Sequence, residues 1–358
     1  MPNILAIFIP FALAFFVGIF MTPFLTHFLY SRTMWKKKAG KRALNGDDTP
    51  IFNSLHKDKE VGTPKMGGIV IWGSALAVAA MLWLASFFFP NSLAFVELNF
   101  ISRAQTWLPI FALAVGGLIG LVDDFFEVMG NGDHIAGGLS LAKRLLVVCA
   151  VACLGAWWFY EKLGVNLIAV PFAGTINLGL FFIPFFIAVV LAVYASGVID
   201  GIDGLAGGVF ASVFFAYSVI AFSEGLFDLA ALCAAIVGGL LAFLWFNIPP
   251  ARFYMSETGT MGLTITLAII AFLTDAHAGG RGVLVLPIIA FPLFLTLLSV
   301  IIQVFSKKFR NGKKVFLVAP IHHHFEALGW PAHKVAMRYW VVSAVSVVIG
   351  LALSLFGI

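Results

Sequence analysis

The sequence predicts an all-α, polytopic integral membrane protein with about ten transmembrane helices and both termini extracytoplasmic, built as a single transmembrane domain over residues 1–358. Three observations carry this. Hydrophobic residues make up 61% of the chain and charged residues only 11%, too few to cover the surface of a soluble domain. Apolar runs long enough to cross a bilayer, which takes about 20 helical residues, recur ten times. Finally, if the connections after odd-numbered runs share one face, nineteen of the 22 lysines and arginines fall there, and only Arg103, Lys162 and Arg281 fall on the other. By the positive-inside rule the basic face is cytoplasmic.

The runs lie at roughly 4–30, 67–89, 107–122, 142–160, 178–197, 205–223, 226–246, 260–273, 283–305 and 335–357. The first has no basic residue ahead of it, and no small-residue cleavage site follows it, so it is expected to remain as a helix. The third is expected to extend past residue 122 and the eighth is short. The net charge of +5 is mostly a topology signal with contacts to anionic lipid or phosphate, so nucleic acid is not an expected partner. Cys149, Cys153 and Cys233 all sit inside apolar runs, which predicts free thiols rather than a disulfide framework or a zinc motif.

Polar residues break the pattern at a few places, all on the basic face. The most telling is Asp200-Gly201-Ile202-Asp203-Gly204-Leu205-Ala206, two carboxylates and two glycines between long apolar runs. Charges at such a place cost several kcal/mol unless water, a cation or a substrate meets them. Their spacing would put both acids on one side of a helical turn. A polar turn between spans is the plainer reading, but it needs no acids. Asp123-Asp124 closes the third run, and Glu257 follows the rigid Asn247-Ile248-Pro249-Pro250 segment between runs seven and eight. His322-His323-His324 stands in the connection between runs nine and ten, where a short amphipathic segment reaching over a site is expected. The connection 31–66 is too long for a tight turn and reads as a mobile or lid-like loop, with lysines suited to phosphate around His56 and Lys59.

Carboxylates with few competing bases suit Mg²⁺, which takes oxygen ligands and usually keeps places for water and substrate phosphates. Nearby basic residues suit a pyrophosphate. Phosphoryl transfer between a soluble nucleotide and a lipid phosphate is the chemistry this combination fits. An ion-coupled transporter would instead show paired repeats and charges at the bilayer midplane, whereas these acids lie at run ends.

These residues resemble the polyprenyl-phosphate sugar-1-phosphate transferases, along the whole chain. The resemblance runs through Gly62-Thr63-Pro64-Lys65-Met66-Gly67-Gly68, Asp123-Asp124, the Asp200 to Ala206 stretch, Phe243-Leu244-Trp245-Phe246-Asn247 and Pro320-Ile321-His322-His323-His324-Phe325-Glu326. The histidine triplet, with Gly329-Trp330-Pro331 after it, points to the muramoyl-pentapeptide branch. The resemblance implies a Mg²⁺-dependent enzyme of the bacterial plasma membrane with its active site on the cytoplasmic face. Its partners would be UDP-MurNAc-pentapeptide, undecaprenyl phosphate and membrane lipid, its products lipid I and UMP, and a homodimer is a compatible assembly. It further implies that Asp123 or Asp124 handles the lipid phosphate, that Asp200, Asp203, His323 and His324 act in catalysis, and that Lys59, Arg144, Asn247 and His322 bind substrate. Glu257 and Asp200 would hold the metal.

The chain departs from the family pattern at five places. Ser256-Glu257 replaces a Gly-Asp pair, Tyr194 and Gly197 replace asparagines, Glu127 replaces a lysine, and Arg144 stands where the family carries a lysine. Two alternatives therefore stay open: a relative that transfers N-acetylglucosamine-1-phosphate, and a divergent paralogue with reduced or altered activity.

Overall fold

The computed structural model describes residues 4–37, 50, 53–54, 61–130, 138–276 and 282–356. Most of the 31–66 connection, including Lys59 and the expected lid, lies outside the described residues. Ten described helices are long and apolar enough to cross a membrane. They are α1 (Leu5–Ser31), α2 (Ile69–Phe88), α3 (Trp107–Met129), α4 (Leu141–Trp157), α5 (Phe182–Ala195), α6 (Leu205–Ser223), α7 (Phe227–Asn247), α8 (Ser256–Ala276), α9 (Phe291–Phe309) and α10 (Ala332–Phe356). A π-helical turn, Trp158–Lys162, prolongs α4, and 3-10 turns at Gly179–Phe181 and Ser196–Ile199 bracket α5.

The helix ends follow from local chemistry. Gly130 adopts a left-handed φ of 71° that stops α3. Ser140 caps α4 by accepting a hydrogen bond from the Lys143 amide. Where the sequence suggests one run over 283–305, a four-residue helix (Leu286–Ile289) comes first and α9 restarts at Phe291. Pro292, which has no N–H to donate, falls in the first turn of α9, where none is needed. The connection between α4 and α5 holds a hairpin that the all-α expectation does not include: β1 (Leu167–Val170) pairs antiparallel with β2 (Gly174–Asn177). All three cysteines are free.

At the centre stands α8, almost wholly buried and packed against α2, α3, α5 and α6. Between helices in lipid the water-driven hydrophobic force is missing, so close backbone approach through small residues does more of the work. That is how α3 meets α8. Gly116 of α3 lies on Gly262, and a methyl group on Gly120 would collide with the Glu257 carbonyl and the Thr258 amide. Ahead of α2, Gly68 presses on Gly259 in the same way. The outer helices turn apolar side chains outward, as α1 does with Phe16, Phe20 and Phe24. At the far end of α8 from Ser256, Asp275 is buried and ties down two segments. It accepts hydrogen bonds from the amides of Gly282, Val283 (3.1 Å) and Ala169 of β1 (3.4 Å).

Candidate active site

The first turn of α8 is where the acidic motifs meet. A helix N-terminus leaves its first amides without intrahelical partners and carries partial positive charge, so carboxylates are favoured there. Here they come from other parts of the chain. Asp200 Oδ2 accepts from the Ser256 amide at 2.8 Å, and Asp124 Oδ2 accepts from the Thr258 amide at 2.9 Å and the Thr258 hydroxyl at 2.6 Å. These tethers explain why α8 begins at Ser256 and not near residue 260, as the apolar run suggests.

Two cations lie among the acids. Arg144, on α4, makes an ion pair with Asp123 (Nη2 to Oδ2, 2.8 Å) and another with Glu257 (Nη1 to Oε1, 2.6 Å), while its Nε donates to the Leu139 carbonyl at 3.1 Å. The other oxygen of Asp123 accepts from the Leu139 amide at 2.6 Å. Lys65 lies 2.6 Å from Glu127 and 4.0 Å from Asp124. Burial pulls its ammonium down, but Glu127 and Asp124 outweigh that and hold it above the ordinary lysine value. The strand-like exchange of backbone hydrogen bonds between residues 64–67 and Tyr254 sets Lys65 in place.

The Asp200 to Gly204 stretch is not a helical turn. Asp200 ends the 3-10 turn with φ −75° and ψ 77°, and Gly204 is left-handed at φ 77° just before α6. The two aspartates therefore part company. Asp200 goes to Ser256, and Asp203 stands on the wall between two clefts. One cleft, about 340 Å³, is lined by Thr63, Asp203, Pro249, Pro250, Ala251 and Tyr254. The other, about 280 Å³, includes Ile248, His333 and Trp340. Asn247 lies behind them with its amide engaged at both ends, accepting from the Gly204 amide and donating to the Phe253 carbonyl, each at 2.8 Å. Trp340 Nε1 donates to the Gly204 carbonyl at 3.0 Å.

The histidine triplet opens a short helix, Ile321–Ala327. His322 and His323 are buried, and their Nε2 atoms each come within 2.6 Å of where a Cβ on Gly201 would stand. Only glycine leaves both imidazoles that approach. His323 Nδ1 bonds Glu326 at 2.7 Å, a buried pair. His324 turns the other way, and its Nδ1 accepts from the Leu317 amide at 3.2 Å. So His322 and His323 are the pair set against the Gly201 backbone, while His324 faces the 317 segment.

A family described as glycosyl transferase family 4 matches residues 106–275, the stretch from the start of α3 to the end of α8. Over nearly the whole chain, the phospho-N-acetylmuramoyl-pentapeptide-transferase of a Ruegeria species is 34% identical, with 94% of this chain and 91% of the relative covered. The protein of the same name from Listeria innocua is 32% identical, with 97% of each covered, and that from Chloroflexus aurantiacus is 32% identical, with 90% and 84% covered. This chain belongs to the phospho-N-acetylmuramoyl-pentapeptide transferase family. It is a transferase of the bacterial membrane.

Family membership implies a metal, and the donors present fit one in kind. The site offers carboxylate oxygens, with five acids (Asp123, Asp124, Glu127, Asp200 and Glu257) against two bases among the described residues, and Asp124 Oδ1 is buried without a hydrogen bond. No three potential ligands are gathered into a ready cage among the described residues. Sequence reasoning assigned no role to Thr258 and Glu326 and gave Lys65 only a general part in gripping phosphate, yet all three shape this site. Thr258 fixes Asp124, Lys65 balances Asp124 and Glu127, and Glu326 orients His323. The sequence signal for Lys65 and Glu326 was their place inside the Gly62 to Gly68 and Pro320 to Glu326 motifs; for Thr258 there was only its place next to Glu257.

Proposed function

We propose that the protein transfers phospho-MurNAc-pentapeptide from UDP-MurNAc-pentapeptide to undecaprenyl phosphate, giving lipid I and UMP, on the cytoplasmic face of the bacterial plasma membrane. The observation that carries the reading is the convergence of Asp123, Asp124, Asp200 and Glu257 with Arg144 and Lys65 on the first turn of α8, in a chain of this family. An oxygen of the lipid phosphate bonds to the phosphorus attached to the sugar, the diphosphate P–O bond breaks, and UMP leaves with the electron pair. Little covalent chemistry falls to the protein in such a transfer, so its contribution is positioning and charge.

Each residue then has a task. Asp123 and Asp124 orient the lipid phosphate and take its proton where it carries one. Asp203 faces the clefts, where the nucleotide is placed, while Asn247 and Trp340 hold the Gly204 backbone at their rim. His323, oriented by Glu326, presents Nε2 at Gly201 and, as an imidazolium, donates to the diphosphate, with His322 next to it. Lys59 binds substrate phosphate, and Lys65 and Arg144 keep the acids from repelling an anionic substrate. Mg²⁺, held by Glu257 and Asp200, would neutralise charge on the diphosphate and on departing UMP.

The test incubates purified protein with both substrates and Mg²⁺ and follows lipid I and UMP. Both are expected, and both should vanish on chelation. Asparagine at position 123, 124, 200 or 203 is expected to slow turnover by roughly 10²-fold or more, the scale of losing one preorganised electrostatic group. Near-normal rates in all four would reject the assignment. UDP-N-acetylglucosamine offered in place of the muramoyl donor separates the sister activity.

A further inference from the structure

The guanidinium of Arg144 sits between two carboxylates from different helices. Asp123 comes from α3 and is fully buried; Glu257 comes from the first turn of α8 and is one-quarter exposed. The guanidinium is planar, always charged, and presents several N–H groups in a fixed fork, so it can serve both acids at once. It does so here at 2.8 and 2.6 Å, with Nε anchored on the Leu139 carbonyl and Tyr194 close against it. In contrast, Glu257 is loosely held otherwise, since among the described residues its second oxygen meets only the Thr260 hydroxyl at 3.4 Å.

We propose that Arg144 is a built-in counter-cation that competes with a divalent metal for Glu257, and so sets how tightly this site takes its metal. The inference rests on the placement of Mg²⁺ at Glu257 under the proposed function. Mg²⁺ needs oxygen at about 2.0 to 2.1 Å, and the Glu257 oxygen nearest Arg144 is already committed to a charged hydrogen bond. A guanidinium held on that carboxylate also leaves a positive charge about 4 Å from any dication there, and in a partly buried place that repulsion weakens binding by more than tenfold. The extra methylene of glutamate over aspartate gives the carboxylate its reach toward either cation. With the guanidinium on Glu257, that carboxylate keeps a counter-charge without metal. Once it is released, Glu257 is open to the ion, and Arg144 keeps Asp123.

Mn²⁺ is the probe, its binding to the purified full-length protein followed by electron paramagnetic resonance without substrate. Arg144→Gln is expected to bind Mn²⁺ at least about tenfold more tightly than the natural protein. Arg144→Lys, whose ammonium cannot bridge both acids, should lie between, and it guards against a folding defect in the first variant. The gain should disappear in Arg144→Gln/Glu257→Gln, and Lys143→Gln on the exposed side of α4 should leave affinity unchanged. Without metal the Arg144→Gln protein should unfold at lower temperature, and Mn²⁺ should raise its unfolding temperature more than it raises that of the natural protein. Unchanged or weaker Mn²⁺ affinity in both Arg144 variants would overturn the inference, as would a gain that survives loss of Glu257. Absence of Mn²⁺ binding in every variant would overturn it too. Formation of lipid I by the natural protein, measured alongside, then decides whether the transferase reading stands without it.

Discussion

Thr258 gives Asp124 two hydrogen bonds, one from its amide and one from its hydroxyl, and all of these groups are buried. Thr258→Val keeps the shape and the amide but removes the hydroxyl, so a buried charge loses a donor. The expected cost is about 1 to 3 kcal/mol in unfolding, with slower turnover because Asp124 gains freedom. Thermal unfolding in detergent beside a rate measurement checks both, and an unchanged stability would mean the hydroxyl bond is not made. Lys65 poses a sharper case. Replacing it with Met strands Glu127 and Asp124 in the same pocket, and the expected loss is about 3 kcal/mol or more. Adding Glu127→Leu should recover much of it, which a double-mutant cycle measures; strictly additive losses would argue against the pair. The ammonium is held above its ordinary pKa of 10.5, so its stabilisation is complete below that value. It drains only as pH rises through the higher folded value, so the Lys65→Met penalty should be flat across neutral pH and shrink in strong alkali.

Helices carry these residues to one another, and the seam between α3 and α8 is what sets their spacing. Gly120→Ala would drive a methyl into the backbone at Glu257 and Thr258, which cannot give way as a flexible side chain can. The expected result is a loss of about 1 to 3 kcal/mol together with a large drop in turnover, since Asp123, Asp124 and Glu257 all shift. Gly130→Ala is the comparison: among the described residues it meets no neighbour, only the strain of its left-handed φ, and should spare the rate more than the stability. Equal effects on rate from the two would deny the seam its role in aligning the site. The same contrast explains what could be read in advance. Long apolar runs, acids at their ends and the basic flanks are properties of a segment, so ten spans and the acidic motifs were legible. Which partner each acid takes depends on how helices pack. Nothing near Glu257 in sequence announces Arg144, and nothing near Glu127 announces Lys65 across more than 60 residues of chain. The start of α8 at Ser256 was hidden for that reason too, because its first amides are satisfied from α3 and from the loop before α6. Two helical steps of about 100° set His324 roughly opposite His322 around its seven-residue helix, which turns it away from Gly201.

Across the whole molecule, the charge pattern and the site make one joint statement about orientation. Lys65, Arg144 at the start of α4, Arg252 and the 307–314 basic run all belong to the same end as the first turn of α8, and the β1–β2 hairpin and Asp275 mark the other end. Retaining so many lysines and arginines on one side is favoured when that side is the cytoplasm. The cytoplasmic nucleotide donor of the proposed function would require the same direction. Two exposed positions test this direction in a cysteine-free background: Asn311, in the turn after α9, and Thr175, in β2. An impermeant thiol reagent added outside intact cells should label Thr175→Cys and should reach Asn311→Cys only after the membrane is opened. The reverse pattern would turn the protein over, place the acidic site where no UDP-linked donor is made, and remove the proposed substrate with it. Labelling of both from outside would break the even helix count, and the convergence on α8 would then have to be reconciled with a different number of crossings.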